Sequence, residues 1–267
     1  MSSFNDNLAS VQKNSDTDFS VTIPEDWLQG RTAFGGLSSA VIVEAMQKVV
    51  SADRQLRSMA VSFVGPATPG EQKIALRLLR DGGSVTHIQG ELVCDGQVAT
   101  AVNAAFGKAV ANPAKVVAAS IPKDLPAPES CPSVPYVEGF TPAFTQHFEM
   151  KFVYGQPPLA EADNADYGVW LRFKQPTEIS TSSLIAIGDM PPLPGFNLAK
   201  FPALGSSLTW YLEFPTELTD IDPEGWWYYD YRCQAAGDGY FNNFGTIWAP
   251  DGRAAMFTRQ VAMVFQK

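Results

Sequence analysis

The sequence has few residues of the kinds on which several large classes of chemistry depend. Only three cysteines and two histidines occur in 267 residues, and Cys94, Cys131 and Cys233 lie far apart, without a CxxC pair. Such spacing is typical of a reducing compartment and gives no zinc-finger pattern. We therefore expect free thiols and a cytoplasmic location, with neither a metal ion nor another cofactor.

Positive charge and long apolar runs are also scarce. A formal net charge of −9 argues against nucleic acid and anionic membranes as partners. No apolar run approaches the roughly 20 residues of a membrane-spanning helix. Residues 1–18 are polar, without the apolar core of a signal peptide, and we interpret them as a frayed lead-in. No glycine-rich phosphate loop is visible, so ATP and NAD are not expected.

The chain does contain a long apolar segment that predicts a helix over residues 37–50. After the first turn its polar residues, Glu44, Gln47 and Lys48, form one narrow stripe. A helix apolar around most of its circumference must be enclosed on most sides. Gly35 and Gly36 at its start would let a backbone or ligand approach and leave free N–H groups for an anion or a polarised carbonyl. The alternative is that these glycines only permit a tight turn into the helix.

Alternating apolar residues predict strands on both sides of this helix. In the first half they cover residues 19–23, 57–64, 71–80, 85–94 and 97–106, with a hairpin at Asp95-Gly96. In the second half they cover residues 144–154, 167–174, 208–214, 226–235, 240–248 and 253–265, with a shorter helix at 177–188.

A proline-rich stretch separates the two halves, and we interpret residues 111–142 as a linker over the surface. The hairpin at residues 94–101 repeats in pattern at 250–257. The sequence therefore predicts an α+β protein made by tandem duplication, with units at 1–110 and 143–267. Each unit would be a sheet curled around a helix, and the two sheets would pair edge to edge.

Three motifs occur in order in the first half, at residues 31–36, 63–70 and 79–84. They resemble R-x-x-F-G-G, a strand ending in x-x-P-x-x-P, and R-D-G-x-S of the acyl-CoA thioesterase II (TesB-like) family, and the resemblance covers nearly the whole chain. It implies a double hotdog, in which two antiparallel sheets each wrap a central helix. It also implies hydrolysis of an acyl-CoA substrate to free acid and CoA.

The resemblance also implies a catalytic Asp, Gln and hydroxyl in the second half. The matching residues are Asp189 after the second helix and Gln260 in the last strand. The hydroxyl could come from Ser206, Ser207 or Thr209. Gly35 and Gly36 could bind the substrate oxyanion through their amides. The family's second Asp near this hydroxyl is absent, and Ser207 stands nearest to its position.

The residues themselves leave other interpretations open. Asp189 could only cap a helix end, and Gln260 could face solvent. Arg31, Arg80 and Arg259 could meet CoA phosphates or lie free in solvent, and the aromatic run at 226–231 could line a groove or belong to the core.

Two further functions fit the fold. One is a catalytically silent acyl-CoA-binding or scaffold protein. The other is a hotdog hydratase, which would need a His with an acidic partner. We see no Asp close to either His87 or His147 in the sequence. Because one face of the aromatic run at 226–231 could form an interface, we also expect a homo-oligomer.

Overall fold

Most of the chain folds into one large antiparallel sheet that encloses two helices. The computed structural model describes residues 1–114, 116–215 and 217–266. The strands are β1 (Gln12–Lys13), β2 (Asp18–Ile23), β3 (Leu28–Gln29), β4 (Thr32–Ala33), β5 (Gln55–Phe63), β6 (Gly70–Asp81), β7 (Val85–Cys94), β8 (Gln97–Gly107), β9 (Phe148–Tyr154), β10 (Tyr167–Phe173), β11 (Ala203–Glu213), β12 (Trp227–Gly237), β13 (Tyr240–Trp248) and β14 (Ala254–Gln266). The helices are α1 (Phe4–Ala9), α2 (Gly35–Gln47), α3 (Thr181–Asp189) and α4 (Gly195–Leu198), with 3-10 turns at Glu25–Trp27, Pro128–Ser130 and Ala143–His147.

The twelve long and short strands of this sheet follow the order β1-β2-β6-β7-β8-β5-β11-β14-β13-β12-β10-β9. The two units meet at β5 and β11, where Thr209 pairs with Ser62 and Glu213 pairs with Ser58 in antiparallel register. The expected edge-to-edge pairing of two curled sheets is therefore confirmed. The junction leaves neither β5 nor β11 as a free edge open to other chains, and the whole is a double hotdog.

Each unit wraps around its own helix. In α2, residues 36–43, 45 and 46 are buried, and the polar stripe is where predicted, with Lys48 Nζ 3.3 Å from Glu44. In α3, Ser180 and Ser183 form a capping box, and Gly188 lets the helix approach the sheet, since a Cβ there would lie 2.3 Å from a side-chain methyl of Met256. Asp189, the residue after Gly188, is the last residue of α3.

The N-terminal residues are ordered, so their interpretation as a frayed lead-in was wrong. Ser3 and Asp6 cap α1, and Phe4 is only 2% exposed. The centroid of the Phe4 ring lies 5.7 Å from that of Trp27 in the first unit and 5.2 Å from that of Phe173 in the second. The Phe4 ring and hydrogen bonds from Ser2 to Asp26 and from Trp27 to Ser2 hold this segment, and hydropathy averaged over polar neighbours does not show it.

The proline-rich segment between the two units is fastened to the second unit. The indole N–H of Trp248 donates to the carbonyl of Ala119 at 2.9 Å, and that of Trp170 donates to Pro126 at 3.0 Å. Both rings share an apolar cluster with Tyr228 and Cys131.

The prediction that residues 226–231 form a surface for association is therefore wrong. The outward-facing Tyr228 is only 2% exposed, because the chain's own linker covers it, while Trp227 and Tyr229 face the core. The homo-oligomer stays a prediction without this surface as its basis.

Candidate active site

A cavity of about 1210 Å³ lies where the two units and the linker meet. Its walls come from residues 29–38, which lead into α2, and from residues 63–66 after β5. The linker and the turn after it contribute residues between 134 and 145, and the second unit contributes residues 189–193 and 203–207. The cavity is therefore a feature of the assembled chain, because neither unit encloses it alone.

Asp189 is the last residue of α3 and lines this cavity. It is partly buried, following a run of fully buried apolar residues from Leu184 to Ile187. Burial raises the pKa of Asp189 to about 7, while the amide of Gly36 acts in the opposite direction. The C-terminal end of a helix also disfavours a negative charge. A carboxyl with a pKa near neutrality can take up and release a proton at working pH.

The predicted glycine pair lies directly against Asp189. A Cβ at Gly35 would lie 2.7 Å from Asp189 Oδ2, and one at Gly36 would lie 3.0 Å from the backbone of Ala186 in α3. The glycines therefore allow a close approach of α2 to α3. The same approach brings the amide of Gly36 to the carboxyl group.

Gln260 faces the protein interior, and it is only 5% exposed. Buried residues alternate along this part of β14, with Thr258 and Ala262 pointing to the same side. The side-chain Nε2 of Gln260 donates to Ser207 Oγ at 3.0 Å. The hydroxyl of Tyr231 donates to Gln260 Oε1. Gln260 does not line the cavity itself, and it reaches the cavity through Ser207.

A β-bulge decides which hydroxyl faces the interior. The register between β11 and β14 shifts between Ser207 and Thr209, so that Leu208 is an extra residue. As a result Ser207 and Trp210 both face inward, although they are three positions apart and would face opposite sides of a regular strand. Thr209 is exposed and does not line the cavity, whereas Ser206 is exposed at its rim.

Apolar side chains make up most of the remaining wall, and they suit an acyl chain. They include Met150, Leu193 and Phe196. Arg31 and Asp189 are the charged residues among those lining the cavity, and Arg31 is exposed.

The other residues considered from the sequence lie elsewhere. Arg80 and Arg259 are exposed and outside the cavity lining. His87 is exposed on β7. Neither histidine has an Asp near it in the sequence, but the fold brings His147 Nε2 to 3.4 Å from Asp26 Oδ2.

This histidine has a structural setting. Its ring stacks on that of Trp27, with ring centroids 4.2 Å apart. Its Nε2 lies 3.0 Å from the Asp26 carbonyl oxygen. His147 does not line the cavity. Burial lowers its pKa below the usual 6.5, while Asp26 acts in the opposite direction.

Sequence reasoning missed the linker as part of the site. Val134, Val137 and Phe140 line the cavity, and the linker is held there by the amide of Val134, which donates to Met150 O at 2.9 Å. The only signal was indirect, namely apolar residues within a proline-rich stretch. Two findings apply to the part of the chain that the structure describes. It has no group of His, Cys, Asp and Glu suited to a metal ion, and no helix long and apolar enough to cross a membrane.

Solved structures with the same fold cover essentially the whole chain. A conserved protein of unknown function with a hot dog fold from Alicyclobacillus acidocaldarius is 20% identical, with 100% of each chain covered and a TM-score of 0.86. The acyl-CoA thioesterase II TesB2 from Mycobacterium marinum is 17% identical, with 98% of each chain covered and a TM-score of 0.77. The tesB protein of Mycobacterium avium subs paratuberculosis is 18% identical, with 99% of this chain and 100% of that chain covered and a TM-score of 0.80.

Family models match both halves of the chain. Residues 23–107 match the acyl-CoA thioesterase N-terminal domain, and residues 128–264 match the acyl-CoA thioesterase C-terminal domain. No curated protein has a significant sequence match to the chain. The two matched domains together span most of the sequence, and the chain therefore belongs to the acyl-CoA thioesterase family and is a thioester hydrolase.

Proposed function

We propose that this protein hydrolyses acyl-CoA by direct attack of a water molecule that Asp189 deprotonates. The observation that carries the proposal is the meeting of Asp189, with its pKa raised to about 7, and Ser207 in one apolar cavity. Ser207 is in turn hydrogen-bonded to Gln260. A general base with a pKa near the working pH is the most effective one for removing a proton from water.

The reaction would run without a covalent enzyme intermediate. Asp189 takes a proton from the water, and the hydroxide attacks the carbonyl carbon of the thioester. The C–S bond breaks as the oxyanion collapses, and the proton held by Asp189 passes to the sulfur of CoA. Free acid and CoA thiol are the products, so protons and electrons balance within the three reactants: enzyme, water and thioester.

Ser207 and Gln260 would hold the water in line with the carbonyl carbon. The amide of Gly36 is directed at the carboxyl of the free protein. Once Asp189 is protonated it attracts that N–H less, and the first amides of α2 become donors for the developing oxyanion. Arg31, exposed beside the cavity, would attract a CoA phosphate.

The cellular setting is part of the same proposal. Cys94, Cys131 and Cys233 are free thiols, which suits a reducing compartment such as the cytoplasm.

The test is an acyl-CoA panel of increasing chain length, with free thiol and remaining acyl-CoA both measured over time. The proposal expects thiol release matched by loss of thioester. Binding of acyl-CoA without turnover would instead indicate the silent scaffold protein. Hydration of an enoyl-CoA without thiol release would indicate the hydratase.

A further inference from the structure

The side chain of Gln260 can act in two ways, depending on which end of its amide faces the cavity. With Nε2 toward the cavity it donates a hydrogen bond, and with Oε1 toward the cavity it accepts one. Its two neighbours are both hydroxyl groups, those of Tyr231 and Ser207, and a hydroxyl can play either role. The contact distances alone do not fix the orientation.

Tyr231 gives this network a direction. Burial holds the pKa of its hydroxyl well above the usual range, so the hydroxyl keeps its proton and can donate. In the structure it donates to Gln260 Oε1, and Gln260 Nε2 donates to Ser207 Oγ at 3.0 Å. Asn243, which is opposite Gln260 in the register of β13 and β14, has no hydrogen-bond partner for its side chain among the described residues.

Because Tyr231 and Gln260 are both buried, the hydrogen bond between them matters for the orientation of the Gln260 amide. Tyr231 is 3% exposed and Gln260 is 5% exposed, so water does not easily replace a lost partner. If the tyrosine hydroxyl were removed, the amide oxygen of Gln260 would be buried without its donor, at the usual penalty for such a group. The side chain would then be free to rotate its NH₂ group away from Ser207.

We propose that Tyr231 is a positioning residue for the hydrolysis: it holds the amide of Gln260 so that Nε2 faces Ser207 and the cavity. This inference rests on the proposed function, in which Ser207 and Gln260 hold the attacking water. Tyr231 does not line the cavity and acts through Gln260 alone.

The chain supplies a closely matched control. Tyr229 precedes Tyr231 by two residues on the same face of β12, and the two rings stack with centroids 4.7 Å apart. Its hydroxyl pairs with Thr258 at 2.8 Å, two residues before Gln260. Tyr229→Phe therefore removes a buried hydroxyl from the same aromatic stack without touching Gln260.

The experiment is a double-mutant cycle on purified protein, with kcat and KM for one acyl-CoA measured separately. Tyr231→Phe should lower kcat about three- to tenfold, the effect of one buried hydrogen bond, with KM changed less than twofold. Tyr229→Phe should keep kcat within twofold of wild type. In a Gln260→Ala background, Tyr231→Phe should cause no further loss of kcat, because the group that it positions is gone.

Each contrary result has a distinct meaning. Equal loss of kcat from Tyr231→Phe with and without Gln260 would overturn the positioning role, and so would wild-type kcat in Tyr231→Phe. Equal losses in Tyr231→Phe and Tyr229→Phe would indicate an effect of the aromatic stack and would also overturn it. Full turnover in Gln260→Ala would instead remove Gln260 from the mechanism and end the proposed function in its present form. Thermal unfolding of all the variants shows which of them keep the fold.

Discussion

Gly35 and Asp189 lie against each other at the boundary between the two units, with room for a hydrogen but not for a methyl group. A Cβ at Gly35 would lie 2.7 Å from Oδ2 of Asp189. The two residues are far apart in the chain and belong to different helices, α2 and α3. The carboxyl environment is therefore made by both units together.

Asp189→Asn should lower kcat by about 10²–10⁴, the usual range for losing general-base help. The amide keeps the shape of the carboxyl but cannot accept the water proton. Acyl-CoA affinity, measured by calorimetry, should change much less, because the apolar walls are untouched. Asp238→Asn in the exposed turn before β13 is the matched control and should be as active as wild type. Wild-type turnover in Asp189→Asn would remove Asp189 from the mechanism.

The pH dependence of the reaction should report the raised pKa of Asp189. Because the base works only when ionised, kcat/KM should rise about tenfold per pH unit below pH 7 and level off above it. The measurement is loss of acyl-CoA by chromatography, which avoids pH-sensitive thiol reagents. The residual rate of Asp189→Asn should not show this rise with pH. An unchanged profile in that variant would assign the titration to another group.

Burial of the same carboxyl should also make stability depend on pH. The pKa of Asp189 is about 7 in the folded protein against the usual 3.8 of an Asp carboxyl, so between these pH values the folded protein holds a proton that the unfolded chain has released. Stability therefore falls as pH rises from about 4 to 7. Asp189→Asn removes this effect, and it should raise the melting temperature more at pH 8.5 than at pH 4.5. An equal change at both pH values would contradict the raised pKa.

The β11 bulge predicts which hydroxyl matters. Ser207→Ala should slow turnover roughly tenfold, since it removes the acceptor of the Gln260 amide and leaves a buried donor unpaired. Ser206→Ala and Thr209→Ala alter exposed residues and should change kcat less than twofold. The three alanine variants share one assay and one strand, so each serves as a control for the others. A larger effect at Thr209 would place the functional face of the strand on the other side.

The linker wall should influence chain-length preference. Val134→Trp would fill part of the cavity, and each methylene that loses its apolar contact is worth about 0.8 kcal/mol, or roughly fourfold in kcat/KM. Long-chain acyl-CoA should therefore suffer more than short-chain acyl-CoA. Val117→Trp is the control, because Val117 is 78% exposed and lies outside the cavity lining. Equal effects on all chain lengths would show that the acyl chain lies elsewhere.

The regular part of the fold was predictable because its signals are local. Two-residue periodicity and Asp-Gly turns predicted strands over Tyr240–Trp248 and Val85–Cys94, and these are the bounds of β13 and β7 in the structure. Family motifs pointed to Asp189 and Gln260, whose catalytic roles stay predictions.

Other features depend on contacts between distant residues. The bulge at Leu208 leaves no trace in the sequence, because Ser206, Ser207 and Thr209 suit either face of a strand. The linker has no periodicity, and its backbone carbonyls are fixed by indole groups more than 40 residues away. Phe4 docks through a single ring. Neither propensity nor periodicity contains information of this kind.

The duplicated sheet distributes polar groups unequally between its two halves. Gln260 on β14 is opposite Asn243 on β13, and both side-chain atoms of Asn243 lack a hydrogen-bond partner among the described residues. At the equivalent place in the first unit, Ala104 on β8 is opposite Ile88 on β7. A buried amide without partners costs about 1–3 kcal/mol, whereas a buried Ala and Ile cost nothing of the kind. The C-terminal unit is therefore destabilised by its buried polar pair, whereas the N-terminal unit, with an apolar pair at the same place, is not.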